Sequence, residues 1–169
     1  MNGEGRYLDD YARELAEQGE RAFRKQHAAP VLIVIGKRAR KARRGSGVDT
    51  VTDRPTLHGL LHRVFPLPGV AAEGAGQVVI GRAEDDGVDV IIPEASISKR
   101  HCTFAVDAGR VVLSDCGSTN GTSVNGEPVA ATPVELAGGE TISLGRLQLT
   151  FETAPGFVEL VGSMRTRSR

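Results

Sequence analysis

Between Arg63 and Phe151 the chain is cut into short β-prone runs by turn residues, and no helical periodicity intervenes. The runs are Arg63–Leu67, Gln77–Ile80, Val88–Ile92, His101–Val106, Arg110–Ser114, Thr122–Val124, Val134–Leu136, Thr141–Leu144 and Leu147–Phe151. Between them stand Asp107-Ala108-Gly109, Cys116-Gly117, Asn125-Gly126, Gly138-Gly139 and Gly145-Arg146. Asn125-Gly126 favours a type I′ hairpin, because both central positions of that turn need positive φ. Many short strands without helices between them predict a mainly β fold, an antiparallel two-sheet sandwich. The 21 glycines, the 4% aromatic content and the lack of Trp fit a turn-rich architecture better than a helical bundle.

The residues before this stretch read differently. Leu8, Tyr11, Ala12, Leu15, Ala22 and Phe23 recur at helical spacing and predict an N-terminal helix over Tyr7–Gln26, weakened at Gly19 by about 1 kcal/mol relative to Ala. The helix is expected to dock on the sandwich, with partner binding or dimerisation as the alternative. After Pro30, the continuous run Val31-Leu32-Ile33-Val34-Ile35 predicts a buried strand. A basic run follows, Lys37–Arg44, without aromatics to stack bases, so a solvated loop is expected and nucleic acid is not. The expected organisation is an N-terminal helix and extension over 1–29, first strand and basic loop over 30–56, sandwich over 57–153 and C-terminal tail over 154–169. At 169 residues, with 40% apolar and 25% charged residues, the chain suits one such domain with extensions. It lacks a signal-peptide pattern and any apolar run of the roughly 18 to 20 residues that span a bilayer, so a cytoplasmic protein is expected. Cys102 and Cys116 are expected to be small apolar groups in a reducing compartment.

Net charge is zero but uneven. Met1–Pro66 holds 13 Lys/Arg against 8 Asp/Glu, and Leu67–Ser163 holds 5 against 13. Arg165, Arg167 and Arg169 close the chain. Three of the five cations in the acidic stretch are Arg82, Lys99 and Arg100, all in turns beside strands. A scattered solvated surface does not concentrate charge in that way; a local anion site does. Around them lie three polar segments: Gly81-Arg82, Ser98-Lys99-Arg100-His101 and Asp115-Cys116-Gly117-Ser118-Thr119-Asn120-Gly121-Thr122. A phosphate ester, with about −1.5 to −2 charge and three acceptor oxygens, matches an Arg fork, a Lys point charge and a Ser hydroxyl. Each charged hydrogen bond contributes roughly 1.5–3 kcal/mol, so two or three account for much of a micromolar affinity near −8 kcal/mol.

Gly-Arg, then Ser-x-x-His, then Gly-Ser-x-Asn-Gly-Thr followed by a second Asn-Gly, in this order, resembles the forkhead-associated (FHA) domain, over Leu67–Phe151. The resemblance implies a β-sandwich that binds phosphothreonine peptides through an Arg-containing loop site. It implies that Arg82 and Ser98 contact the phosphate, and that Lys99, where the family often has Arg or Asn, adds a looser contact. Arg100 is a further candidate. Thr119 would contact the phosphate or line a pocket for the threonine methyl, and Asn120 would bond the peptide backbone. Gly81 and Gly121 would allow tight turns, and His101 would support the loops from inside. Ser96 and Gly145-Arg146 lie where residues after the phosphothreonine could be read.

The function implied is an adaptor in Ser/Thr-kinase signalling that recruits a phosphorylated partner, either the kinase or its substrate, or a threonine of this chain such as Thr50, Thr52 or Thr166. Long-range repulsion from the acidic body predicts neutral or basic residues around that phosphothreonine. The alternative is a phosphate-independent scaffold acting through the N-terminal helix or a sheet face. Catalysis is not expected: Ser98, His101 and Asp115 are the residue types of a hydrolase triad, but there is no Gly-x-Ser-x-Gly elbow. No cofactor is expected, since Gly74-Ala75-Gly76 lacks the rest of a phosphate loop. No metal is expected, since His58 and His62 have no third ligand nearby in the sequence.

Overall fold

The run Val31–Val34 is apolar at each position because its strand is covered on both sides. The structure, a computed structural model, describes residues 5–38, 59–70, 76–82, 87–107 and 110–166. In it the run belongs to β2 (Val31–Lys37). Leu32 and Val34 enter one hydrophobic cluster, Val31 and Ile33 another. Side chains alternate across a strand, so β2 is a partition between two cores. Ile35, at the end of the run, is 45% exposed.

In a seven-stranded sheet β2 lies between β3 (Arg63–Pro66) and β12 (Leu147–Glu152). β1 (Arg6–Tyr7) extends the sheet beyond β3, and β11 (Thr141–Leu144), β8 (Thr122–Val124) and β9 (Glu127–Pro128) extend it beyond β12. A five-stranded sheet runs β10 (Val134–Leu136), β7 (Arg110–Asp115), β6 (Cys102–Asp107), β4 (Gln77–Gly81) and β5 (Val90–Ile91). The pairings are antiparallel apart from a short parallel contact of β4 with β5. Leu32, Phe65, Leu144 and Phe151 from the first sheet meet Val78, Ile80, Phe104 and Leu113 from the second. Phe104 and Phe151 stack across the interface with ring centroids 6.1 Å apart. The expected Asn125-Gly126 hairpin joins β8 to β9, with φ of 50° and 91°.

A helical layer covers the outer face of the larger sheet. The expected N-terminal helix is two helices, α1 (Leu8–Gln18) and α2 (Glu20–Gln26), because Gly19 adopts φ 80° and turns the chain between them. The segment expected as a C-terminal tail carries a third, α3 (Ala154–Thr166). Pro155-Gly156 reads as a turn in the sequence, yet Pro is tolerated in the first turn of a helix, where an amide donor would go unused. Thr153 caps α3, its Oγ1 accepting the Gly156 N–H at 3.3 Å. Tyr11, Leu15 and Phe23 then pack with Phe157, Val158 and Val161 on Val31, Ile33 and Val64. Among the described residues no helix is long and apolar enough to cross a membrane. Arg40–Arg44 of the basic run, His58, Thr50 and Thr52 lie outside the described residues.

Phe157 is fully buried, its ring centroid 5.1 Å from that of Tyr11. Phe157→Ala is therefore expected to cost about 3–5 kcal/mol of unfolding free energy, measured by urea titration. A loss below about 0.5 kcal/mol, the size usual for surface changes, would mean that α3 does not hold the helical layer.

Candidate functional site

Strand register brings the three polar segments to one end of the sandwich. Ile80 in β4 pairs with Cys102 at the start of β6, and Cys102 pairs with Asp115 at the end of β7. In the other sheet Thr122 at the start of β8 pairs with Leu144 at the end of β11. Leu144 pairs with Leu147 at the start of β12, and Leu147 with Lys37 at the end of β2. The loops leaving these ends are laced to one another by hydrogen bonds.

His101 is the centre of the lacing and is fully buried. Its Nδ1 accepts the Ser98 N–H at 3.0 Å, and its Nε2 lies 3.3 Å from the Gly121 carbonyl. A carbonyl can only accept, so the neutral Nε2–H tautomer satisfies both contacts. The backbone of His101 joins two more segments, donating to the Ile80 carbonyl at 2.8 Å and accepting from the Cys116 N–H at 2.9 Å. Burial holds the imidazole below its usual 6.5, against the opposing pull of the Gly121 carbonyl and the Asp115 carboxylate. A protonated ring would set Nδ1–H against the Ser98 N–H, two donors face to face.

Arg82 and the Ser98 segment are in direct contact, the Arg82 N–H donating to the Ser98 carbonyl at 3.0 Å. Gly81 makes that approach possible, since a Cβ there would stand 1.7 Å from the Lys99 carbonyl oxygen. Thr119 sits across from Ser98, its N–H donating to Ser98 Oγ at 3.0 Å and the two hydroxyl oxygens 3.4 Å apart. Asn120 Nδ2 donates to the Ser96 carbonyl at 2.8 Å. Gly121 takes φ 78° as the loop turns into β8. Arg82 and Lys99 are exposed, and neither forms an ion pair among the described residues. Arg100 extends to the loop before β5, its Nη1 3.5 Å from the Gly87 carbonyl. The geometry thus joins Arg82, Ser98, Lys99, Thr119 and Asn120 in one cluster of cations, hydroxyls and an amide, a donor set suited to a phosphate ester on an extended chain.

Two acidic residues shape this surface from below. Asp115 accepts from the Gly117 and Ser118 N–H groups at 2.9 Å and from the Ser118 and Thr122 hydroxyls at 2.7 and 2.6 Å. Burial disfavours its ionised form, but these bonds outweigh burial and keep its carboxyl below the usual carboxylate value. Glu94, 1% exposed, pairs with Lys37 Nζ at 2.7 Å and accepts the Ser96 N–H at 2.7 Å and the Ser96 hydroxyl. Burial again opposes ionisation, and the Lys37 and Ser96 contacts overcome it. Glu94 and Lys37 have no signature in the sequence: an acid before a turn and a lysine ending a strand look like solvated charges. The residue types of a hydrolase triad are present but not arranged as one, since both ring nitrogens of His101 meet backbone groups and Asp115 is engaged by its own loop.

A family model described as "FHA domain" matches residues 78–145. The glycogen accumulation regulator GarA of Mycolicibacterium smegmatis is 37% identical over 75 residues, 44% of this chain and 45% of that protein. An oxoglutarate dehydrogenase inhibitor of Corynebacterium glutamicum is 34% identical over 67 residues, 40% of this chain and 46% of that protein. The match therefore spans less than half the length of these relatives. The solved FHA domain of the CT664 protein from Chlamydia trachomatis superimposes with a TM-score of 0.51 at 17% identity, covering 73% of this chain and 96% of that one. That likeness shows the fold.

The depressed His101 carries a linkage consequence. Below about 6.5 the unfolded chain takes up a proton that the folded chain refuses, so the contribution of His101 is complete above that pH and is lost as pH falls. Urea unfolding between pH 7.5 and 5.5 is expected to show stability declining by up to about 1.4 kcal/mol per pH unit more in the wild type than in His101→Asn. Equal slopes in the two proteins would place the proton uptake elsewhere.

Proposed function

Residues 78–145 of this chain are an FHA domain, and from that premise we propose that the chain is a phosphothreonine-peptide adaptor in Ser/Thr-kinase signalling. The observation that carries the reading is the convergence of Arg82, Ser98, Lys99, Thr119 and Asn120 on one loop surface, with the Arg82 and Lys99 cations unpaired among the described residues. Cations without a protein partner keep their charge available to a ligand, and a phosphate dianion gains most from them. Arg82 supplies the fork, Lys99 the point charge and the hydroxyls of Ser98 and Thr119 the neutral donors. Asn120 takes the peptide backbone beside the phosphorylated residue. The rigid sandwich holds these groups in advance, which lowers the ordering cost of capture.

The names carried by the relatives, a regulator and an inhibitor, suit a protein that acts by binding other proteins. Recruitment of a phosphorylated kinase or kinase substrate follows as the role in this chain, in the cytoplasm, where such phosphorylation and two free cysteines are compatible. No cofactor or metal enters this mechanism, because capture of a phosphate ester by fixed donors needs neither.

Fluorescence anisotropy with a degenerate phosphothreonine peptide pool, beside phosphoserine and unphosphorylated pools, tests the reading. The phosphothreonine pool is expected to bind in the micromolar range, and Arg82→Ala to weaken it by about 30-fold or more, the loss of one charged hydrogen bond or two. The phosphoserine pool is expected to bind about fourfold less well, since one buried methyl contributes about 0.8 kcal/mol. Equal binding of all pools by a folded wild type would favour the phosphate-independent scaffold, with the helical layer as its contact surface.

A further inference from the structure

We propose that Lys37 and Glu94 form a buried ion pair that positions Asn120 for the ligand by fixing Ser96, which bonds both Glu94 and Asn120. The proposal rests on the phosphopeptide reading and adds two residues to that site which do not contact the phosphate.

Lys37 ends a strand of the seven-stranded sheet, and Glu94 lies on the loop that follows β5 of the five-stranded sheet. Their side chains are 12% and 1% exposed, and 2.7 Å separates Nζ from Oε1. A loop carboxylate has no structural need to leave water, and burying it is unfavourable unless each oxygen is compensated. Here the compensation is divided between two partners. Oε1 faces Lys37, and Oε2 takes both donors of Ser96, its N–H and its hydroxyl.

The two donors of Ser96 are both taken by Glu94, and each of its oxygens also accepts a bond. Its Oγ accepts the Arg146 N–H at 2.9 Å, and its carbonyl accepts Asn120 Nδ2 at 2.8 Å. That last bond decides the orientation of the Asn120 amide, because a carbonyl can meet the nitrogen end and not the oxygen end. No described residue bonds Asn120 Oδ1, so the amide presents an acceptor, the group required to take a peptide N–H. The chain of contacts from Lys37 through Glu94 and Ser96 to Asn120 thus crosses from one sheet to the other and ends on the ligand surface. Lys37 and Glu94 are positioning residues, and their influence on binding passes through Asn120.

The test combines a ligand-free and a ligand-bound readout on the full chain. In the absence of peptide, the Asn120 side-chain NH2 resonances are expected to shift in Lys37→Met and in Glu94→Gln, and to return toward wild-type positions in Lys37→Arg. With a phosphothreonine peptide, Lys37→Met is expected to weaken binding about tenfold in the wild-type background and less than about twofold in an Asn120→Ala background. If the two losses multiply independently, or if the Asn120 amide resonances do not move, the proposed coupling is wrong. Should Lys37→Met fail to fold, Glu94→Gln, which keeps the side-chain shape, carries the same double-mutant comparison. A wild type that binds no phosphopeptide would overturn the functional reading, while the ligand-free resonances would still decide the coupling.

Discussion

A buried neutral imidazole holds together the loops on which the candidate site is built. His101 can accept from Ser98 and donate to Gly121 only as one tautomer, and its own backbone bonds fasten the same point to β4 and to the segment after β7. Three stretches of chain, around Ile80, Ser98–His101 and Cys116–Gly121, are thereby fastened to one another at one residue. Such loops would otherwise be the mobile part of a sandwich. The two exposed cations gain a defined geometry because the backbone beneath them is already committed, and a phosphate meeting them need not order the loop first. The residue that organises the site is for this reason unavailable to do chemistry in it.

β2 couples this end of the molecule to the rest. Its alternate side chains divide the core between the sheets from the core under the helices, and its last residue, Lys37, reaches the loop that holds Ser96. The helices are not an appendage on a complete sandwich. They cover Val31, Ile33 and Val64, apolar groups that would be exposed without them. Three aromatic rings, Tyr11, Phe23 and Phe157, interlock there at centroid distances of 5.1 to 6.5 Å and bind the two ends of the chain into one layer. The strand that carries the floor of this layer also carries the cation that supports the site.

What could be read from the sequence follows from what leaves a local imprint. The nine strands expected between Arg63 and Phe151 are all present, shortened most at Val90–Ile91, because alternation and turn residues are local signals. Asn125-Gly126 announced its turn through backbone chemistry alone. The polar cluster was visible because an acidic stretch places most of its cations in turns, an imbalance that no core requires. β1 and β9, two residues each, are too short to have a period. α3 was hidden by Pro155-Gly156, whose turn signal outweighs the Thr153 cap and the spacing of Phe157, Val158 and Val161. The Lys37–Glu94 pair was hidden for a deeper reason: a buried ion pair and two solvated charges are written with the same letters, and the pairing arises only when two sheets meet.

The central claim is that the ligand surface is the loop end organised by His101. Mapping amide chemical shifts of the labelled chain during titration with a phosphothreonine peptide and its unphosphorylated twin tests it most directly. The account predicts phosphate-dependent changes at Gly81 and Arg82, across residues 96–101 and 117–122, and at Gly145 and Arg146, with α1, α2 and α3 unmoved. Changes concentrated in the helices, or identical changes with the unphosphorylated peptide, would contradict it.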